Sequence, residues 1–83
     1  MYYYVYILEN SYKGWYIGYT GNIRKRIKEH NQSKNKSTRG KTWQLIYAEL
    51  YLNKKDALGR EKFLKSGSGR NFIKRQIRNY LLN

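Results

Sequence analysis

With 83 residues, of which 18 are Lys or Arg and 5 are Asp or Glu, the chain carries a formal net charge of +13, an imbalance that points to a polyanionic partner, nucleic acid ahead of an anionic membrane. Cysteine is absent, which removes disulfides, zinc knuckles and thiol chemistry together, and one histidine, His30, cannot build a histidine-rich metal site. A chain of this length supports one domain with one modest core; it has neither the roughly 18 consecutive apolar residues of a membrane span nor the basic start and cleavage site of a signal peptide, so a cytoplasmic protein with no membrane partner is expected.

Residues 2–8 (YYYVYIL) and 15–19 (WYIGY) are rich in aromatic and β-branched side chains, and Asn10 to Gly14 between them supply turn residues. The pattern predicts a β-hairpin. Alternation puts Tyr4, Tyr6 and Leu8 on one face of the first strand and Tyr16 and Gly18 on one face of the second. A turn centred near Ser11 sets Tyr6 opposite Tyr16, and a slip of one residue would send the two to opposite faces. Gly18 then leaves an open space beside Tyr16, wide enough for a ligand to approach the backbone.

Asn22 is a candidate cap for a helix over residues 23–31. At 100° per residue, Ile23, Ile27 and His30 share a narrow arc with Arg26 at its edge, so Arg26 is the one basic residue of this helix set beside the apolar stripe that faces the sheet. A plain structural alternative is that Arg26 lays its stem along the core edge and keeps its head in water. Residues 32–41 (QSKNKSTRGK) hold no apolar side chain, and four of the ten are basic. They read as a solvated loop able to close on a phosphodiester backbone, with Lys34, Lys36, Arg39 and Lys41, together with Arg24 on the helix, as candidate nucleic-acid contacts.

A third strand over residues 43–52 (WQLIYAELYL) has Ile46, Ala48, Leu50 and Leu52 on one face and Leu45, Tyr47, Glu49 and Tyr51 on the other. Apolar content on both faces predicts a central strand covered on each side. Asn53 caps the next helix, expected to reach about Lys65, with Ala57, Glu61 and Leu64 in its inward arc. An ionised carboxylate facing a core is costly unless it is paired or bound to a cation, which singles out Glu61. Ser66-Gly67-Ser68-Gly69 is expected to end that helix. A last helix over residues 70–82 carries Phe72, Ile73, Gln76, Ile77 and Tyr80 as a packing stripe.

Tyr6, Tyr16, Arg26, His30 and Glu61 thus point towards one surface of a three-stranded sheet. With Tyr4-Val5-Tyr6 standing where the family has Gly-Ile-Tyr, with Tyr16-Ile17-Gly18, with Arg26 in RKRIKEH, with His30-Asn31, and with Glu61 in ALGRE, the whole chain resembles the GIY-YIG nucleases, above all the small stand-alone members. The resemblance implies an α+β fold of order β-β-α-β-α-α, a three-stranded antiparallel sheet flanked by helices. It also implies metal-dependent hydrolysis of a phosphodiester in DNA, branched or duplex, ahead of RNA. Carried over position by position, Tyr6 would be the general base or its partner, Tyr16 would help hold the phosphate or the attacking water, and Arg26 would stabilise charge on the phosphate. His30 would assist Tyr6, and Glu61 would bind one Mg²⁺ or Mn²⁺. Tyr4 departs from the family's first glycine, and Asn71 matches a late polar position only approximately. Charge alone also fits a binding module of the same fold without turnover, since phosphate contacts supply affinity in both cases. A basic RNA-associated protein whose tyrosines stack on bases is a third reading.

Overall fold

In the computed structural model, which describes residues 1–32 and 40–83, strands β1 (Tyr3–Asn10), β2 (Trp15–Thr20) and β3 (Trp43–Tyr51) form an antiparallel sheet of order β2-β1-β3. Helix α1 (Ile23–Asn31) lies between β2 and β3 in the chain, and α2 (Lys54–Leu64), α3 (Gly67–Gln76) and the short α4 (Arg78–Leu81) follow. The fold is α+β with the expected order of elements. Both predicted caps form: the Asn22 side chain accepts from the Lys25 N–H at 3.1 Å, and the Asn53 side chain accepts from the Lys55 N–H at 2.8 Å.

The two faces of the sheet carry separate apolar clusters. Val5, Ile7 and Ile17 pack with Ala57, Leu64 and Ile73 from α2 and α3, whereas Tyr6, Leu8 and Trp43 pack with Tyr16 and with Ile23 and Ile27 from α1. Strand β1 is buried from Val5 to Asn10 because it is the middle strand with helices on both sides.

Several expectations need correction. Strand β3 is an edge rather than the centre, and Leu45 and Leu50 are 38 % and 50 % exposed. Its alternation also breaks: Tyr47 pairs with Ile7 and Leu45 with Leu8, so Ile46 is an extra residue. This bulge lets Ile46 and Tyr47 both pack on the Val5 cluster. In the hairpin, Tyr6 stands opposite Gly18 and Leu8 opposite Tyr16, two residues from the expected register. The turn is centred on Tyr12 because Lys13 takes a left-handed conformation (φ 68°) while the Asn10 side chain accepts from the N–H groups of Tyr12 and Gly14. A shift of two preserves the faces, so Tyr6 and Tyr16 remain on the same side.

The Ser66–Gly69 segment opens a helix rather than merely closing one. Ser66 caps α3 through the Gly69 N–H at 3.1 Å. A Cβ on Gly69 would lie 2.5 Å from Leu64 Cα and 2.7 Å from the Phe63 carbonyl carbon, so α2 and α3 meet here backbone to backbone. The expected single helix over 70–82 breaks at Ile77 (φ −112°, ψ 31°) into α3 and α4.

Candidate active site

Tyr6 points from the middle of β1 towards α1, and its hydroxyl lies 2.9 Å from His30 Nε2, with both side chains fully buried. Tyr16, diagonal to Tyr6 across the hairpin, closes the cluster, its ring centroid 4.5 Å from His30 and 6.2 Å from Tyr6. The C-terminal end of α1 is held in place by Asn31, whose amide donates to the Trp43 carbonyl at 3.0 Å and accepts from the Trp43 N–H at 2.7 Å. That clamp fixes the helix carrying His30 to β3. The adjacent pair His30-Asn31 was legible; the role of Asn31 in it was not, because its partner is twelve residues away.

Gly18 has a different purpose from the one its sequence suggested. A Cβ there would overlap the Tyr6 hydroxyl, lying 2.6 Å from Tyr6 Cζ and 2.9 Å from Tyr16 Cε1. The space left by the missing side chain is filled by the Tyr6 phenol itself.

Arg26 lies at the border of this cluster, as the helical wheel predicted. Its Nη1 is 3.4 Å from Glu29 Oε1, while its Nε is buried and has no hydrogen-bond partner among the described residues. A buried donor left unmatched is costly, and a phosphate oxygen would satisfy it. Burial pushes the Tyr6 pKa up to about 12, with Arg26 pulling it down and the charges of Tyr16 and Glu61 adding to the rise. Burial, followed by the Arg26 charge, depresses His30 below its ordinary value. The Tyr6–His30 pair is therefore neutral at neutral pH.

Glu61, on α2, is close enough for its charge to act on the Tyr6 hydroxyl. Its side chain is 21 % exposed and its Oε2 lies 3.3 Å from Lys65 Nζ. The structure thus brings Tyr6, Tyr16 and His30 into contact, sets Arg26 at their border and brings Glu61 within electrostatic range. Asn71 is exposed on α3, and Arg24 and Lys41 are exposed. Lys34, Lys36 and Arg39 fall outside the described residues.

Sequence reading missed a second polar network on the opposite face. Glu49 accepts from Tyr47 at 2.6 Å, from Tyr51 at 2.7 Å, and from Arg60 Nε and Nη2 at 2.9 and 3.0 Å. Arg60 in turn lies over Phe72, 4.5 Å from the ring centre. Burial pulls the Glu49 pKa upward, but the hydrogen bonds from Arg60 and the two tyrosines outweigh it and leave the carboxyl below its usual range. With both tyrosine hydroxyls and two guanidinium nitrogens engaged on one carboxylate, this network fastens α2 to β3. The signal for it was the Tyr-x-Glu-x-Tyr alternation of 47–51, which puts all three on one face.

Comparison with known proteins adds three findings. The family model described as the GIY-YIG catalytic domain matches residues 2–76. A UPF0213 protein of Haloquadratum walsbyi is 43 % identical over 67 residues, 78 % of this chain and 75 % of that one, and a UPF0213 protein of Clostridium perfringens is 44 % identical over 64 residues, 75 % and 69 % respectively. The solution structure of a UPF0213 protein from Bacillus halodurans superposes with a TM-score of 0.59 at 33 % identity, covering 93 % of this chain and 86 % of the other. Among the described residues, no helix is long and apolar enough to cross a membrane.

Proposed function

Because the chain belongs to the GIY-YIG catalytic domain family, we propose that it is an endonuclease hydrolysing phosphodiester bonds in branched or duplex DNA, chosen by shape, with DNA preferred to RNA. The observation that carries this reading is the buried, unmatched Arg26 Nε at the border of the neutral Tyr6–His30 pair. Arg26 takes up the negative charge that grows on the phosphate oxygens, using a fork whose inner donor is already desolvated. Once substrate binding uncovers the buried pair, Tyr6 removes the proton from the attacking water while its own proton passes to His30 Nε2, so that neither group ever carries an isolated buried negative charge. Tyr16, packed on His30, orients the water or the phosphate. Arg24, Lys41 and, in the segment outside the described residues, Lys34, Lys36 and Arg39 hold the flanking phosphates.

The donor set suits a hard divalent cation. Among the described residues no three His, Asp or Glu converge on a metal-sized space, and Glu61 is a single, partly exposed carboxylate. Such a site fits Mg²⁺ or Mn²⁺, which keep several waters, and not a closed zinc shell. Held by Glu61, the cation would neutralise phosphate charge and assist the leaving oxygen. Lys65 would then release Glu61 Oε2.

The test is cleavage of labelled duplex, single-stranded and branched DNA by the wild type and Glu61→Ala, with Mg²⁺, Mn²⁺ or chelator, and binding measured in parallel. Metal-dependent cutting that disappears in Glu61→Ala while binding survives is the expected result. Tight binding without cutting of any substrate would make the protein a binding module of the same fold.

A further inference from the structure

On the face of the sheet opposite Tyr6, at the turn end of the hairpin, lies a cleft of about 670 Å³ that the chemistry above does not use. Trp15 and Tyr80 contribute aromatic walls, and Lys13, Arg70 and Lys74 stand around it. Glu9 is the one carboxylate side chain in its lining, and it is only 7 % exposed. Its oxygens are already engaged, Oε2 by Trp15 Nε1 at 3.0 Å and Oε1 by the Tyr80 hydroxyl at 2.5 Å, with Lys13 Nζ a further 3.9 Å away. Glu9 therefore fixes the two aromatic walls in position and has little capacity left to neutralise Arg70 and Lys74.

Arg70 lies over the Trp15 ring, 5.9 Å from its centre, which orients its guanidinium without consuming its N–H groups. Neither Arg70 nor Lys74 has an acidic partner among the described residues. The two are four apart on α3, so they project from the same side of the helix. A preset aromatic wall beside unspent cations is the combination that recognises an unstacked base and its phosphate. A duplex, whose bases are stacked inward, offers no base to such a cleft.

We propose that this cleft holds one nucleotide of a single-stranded nucleic-acid segment, its base against the Trp15–Tyr80 wall and its phosphate on Arg70 and Lys74. The proposal rests on the nuclease reading and deepens it, since it makes a single-stranded flank part of the substrate. Trp15 and Tyr16 are consecutive on β2, so they face opposite sides of an edge strand. A strand rounding that edge passes from the Tyr16 side, where it is cut, to the Trp15 side, where it is gripped.

The test is made in chelator, so that nothing is cut. Tryptophan emission and fluorescence anisotropy follow titration with oligothymidylate and with a duplex of equal length, for the wild type, Trp15→Phe and the exposed pair Arg70→Ala/Lys74→Ala. Oligothymidylate should quench wild-type tryptophan emission, and the quench should vanish in Trp15→Phe, where only the buried Trp43 remains. The Arg70→Ala/Lys74→Ala variant, melting like the wild type, should lose about tenfold or more in affinity for oligothymidylate and markedly less for duplex. Equal losses for the two ligands would overturn the proposal, as would a quench unchanged in Trp15→Phe. Should Trp15→Phe fail to fold, the comparison of ligands in the double variant decides. A protein that binds in the expected pattern yet cuts no DNA with metal would refute the nuclease reading and leave the cleft's ligand standing.

Discussion

The Tyr6 hydroxyl and His30 Nε2 lie 2.9 Å apart with no solvent access to either side chain, and Gly18 is the residue that makes room for the phenol in that contact. Gly18→Ala forces the Tyr6 ring out of line, since its Cβ would come within 2.6 Å of Tyr6 Cζ. A loss of about 1–3 kcal/mol in stability is expected from overpacking, together with a fall of about 100-fold in cleavage from the misplaced phenol. Denaturant unfolding and single-turnover cleavage measure the two separately, and wild-type values in both would show that the phenol has slack.

His30 is the only histidine in the chain, so its imidazole signals need no assignment. Burial and the Arg26 charge place its folded pKa below 6.5. The stability this contributes is complete above pH 6.5 and is lost as pH falls through the folded value. Tyr6 behaves in the opposite sense: its folded pKa is raised from 10.0 to about 12, so its contribution is complete below pH 10.0 and is lost as pH climbs towards about 12. NMR titration of the imidazole should give a midpoint under 6.5, and Tyr6→Phe should flatten part of the alkaline loss. A His30 midpoint above 6.5 would contradict the arrangement.

Arg26→Lys removes the unmatched Nε and the guanidinium fork while keeping the charge. Removing the unmatched Nε relieves a buried donor, while losing the fork's contacts with Glu29 and Tyr6 acts the other way, so stability should change by no more than about 1 kcal/mol. Cleavage should fall by about 100-fold or more, in keeping with loss of a group aimed at transition-state charge. A destabilised variant with intact cleavage would instead assign Arg26 to packing.

Arg60 and Glu49 supply the contrast of a structural ion pair, with side chains 25 % and 16 % exposed. Arg60→Ala leaves the carboxylate with two tyrosine hydroxyls and should cost about 3 kcal/mol. Arg60→Lys loses the two-point contact and should cost about 1–2 kcal/mol. Thermal or denaturant unfolding ranks the three proteins; a lysine variant as stable as the wild type would mean that charge alone suffices.

Much of this arrangement was legible in the sequence where the information is local. The aromatic and β-branched runs, the Asn22 and Asn53 caps and the wheel that set Arg26 beside Ile23, Ile27 and His30 each depend on neighbours within a turn or two. The register of the hairpin was not legible, because it turns on Lys13 adopting a positive φ that lysine seldom takes. The bulge at Ile46 was hidden for a similar reason: it is a property of pairing with β1, and β3 read alone alternates without fault. The apolar richness of β3 suggested a central strand, yet the middle place went to β1, whose own tyrosines disguised it as half-exposed. The Glu9–Tyr80 bond spans 71 positions and had no local sign at all.

The backbone-to-backbone junction at Gly69 gives α2 and α3 no intervening side chain to yield. The two helices are therefore held together as one rigid elbow. One arm bears Glu61 and the other bears Arg70 and Lys74, so on the proposed reading the side chains that grip the strand and the carboxylate that holds the cation belong to one unit. On that reading grip and cut share one support, and a flexible residue inserted between Ser66 and Gly67 should weaken cleavage of substrates with a single-stranded flank more than it weakens their binding.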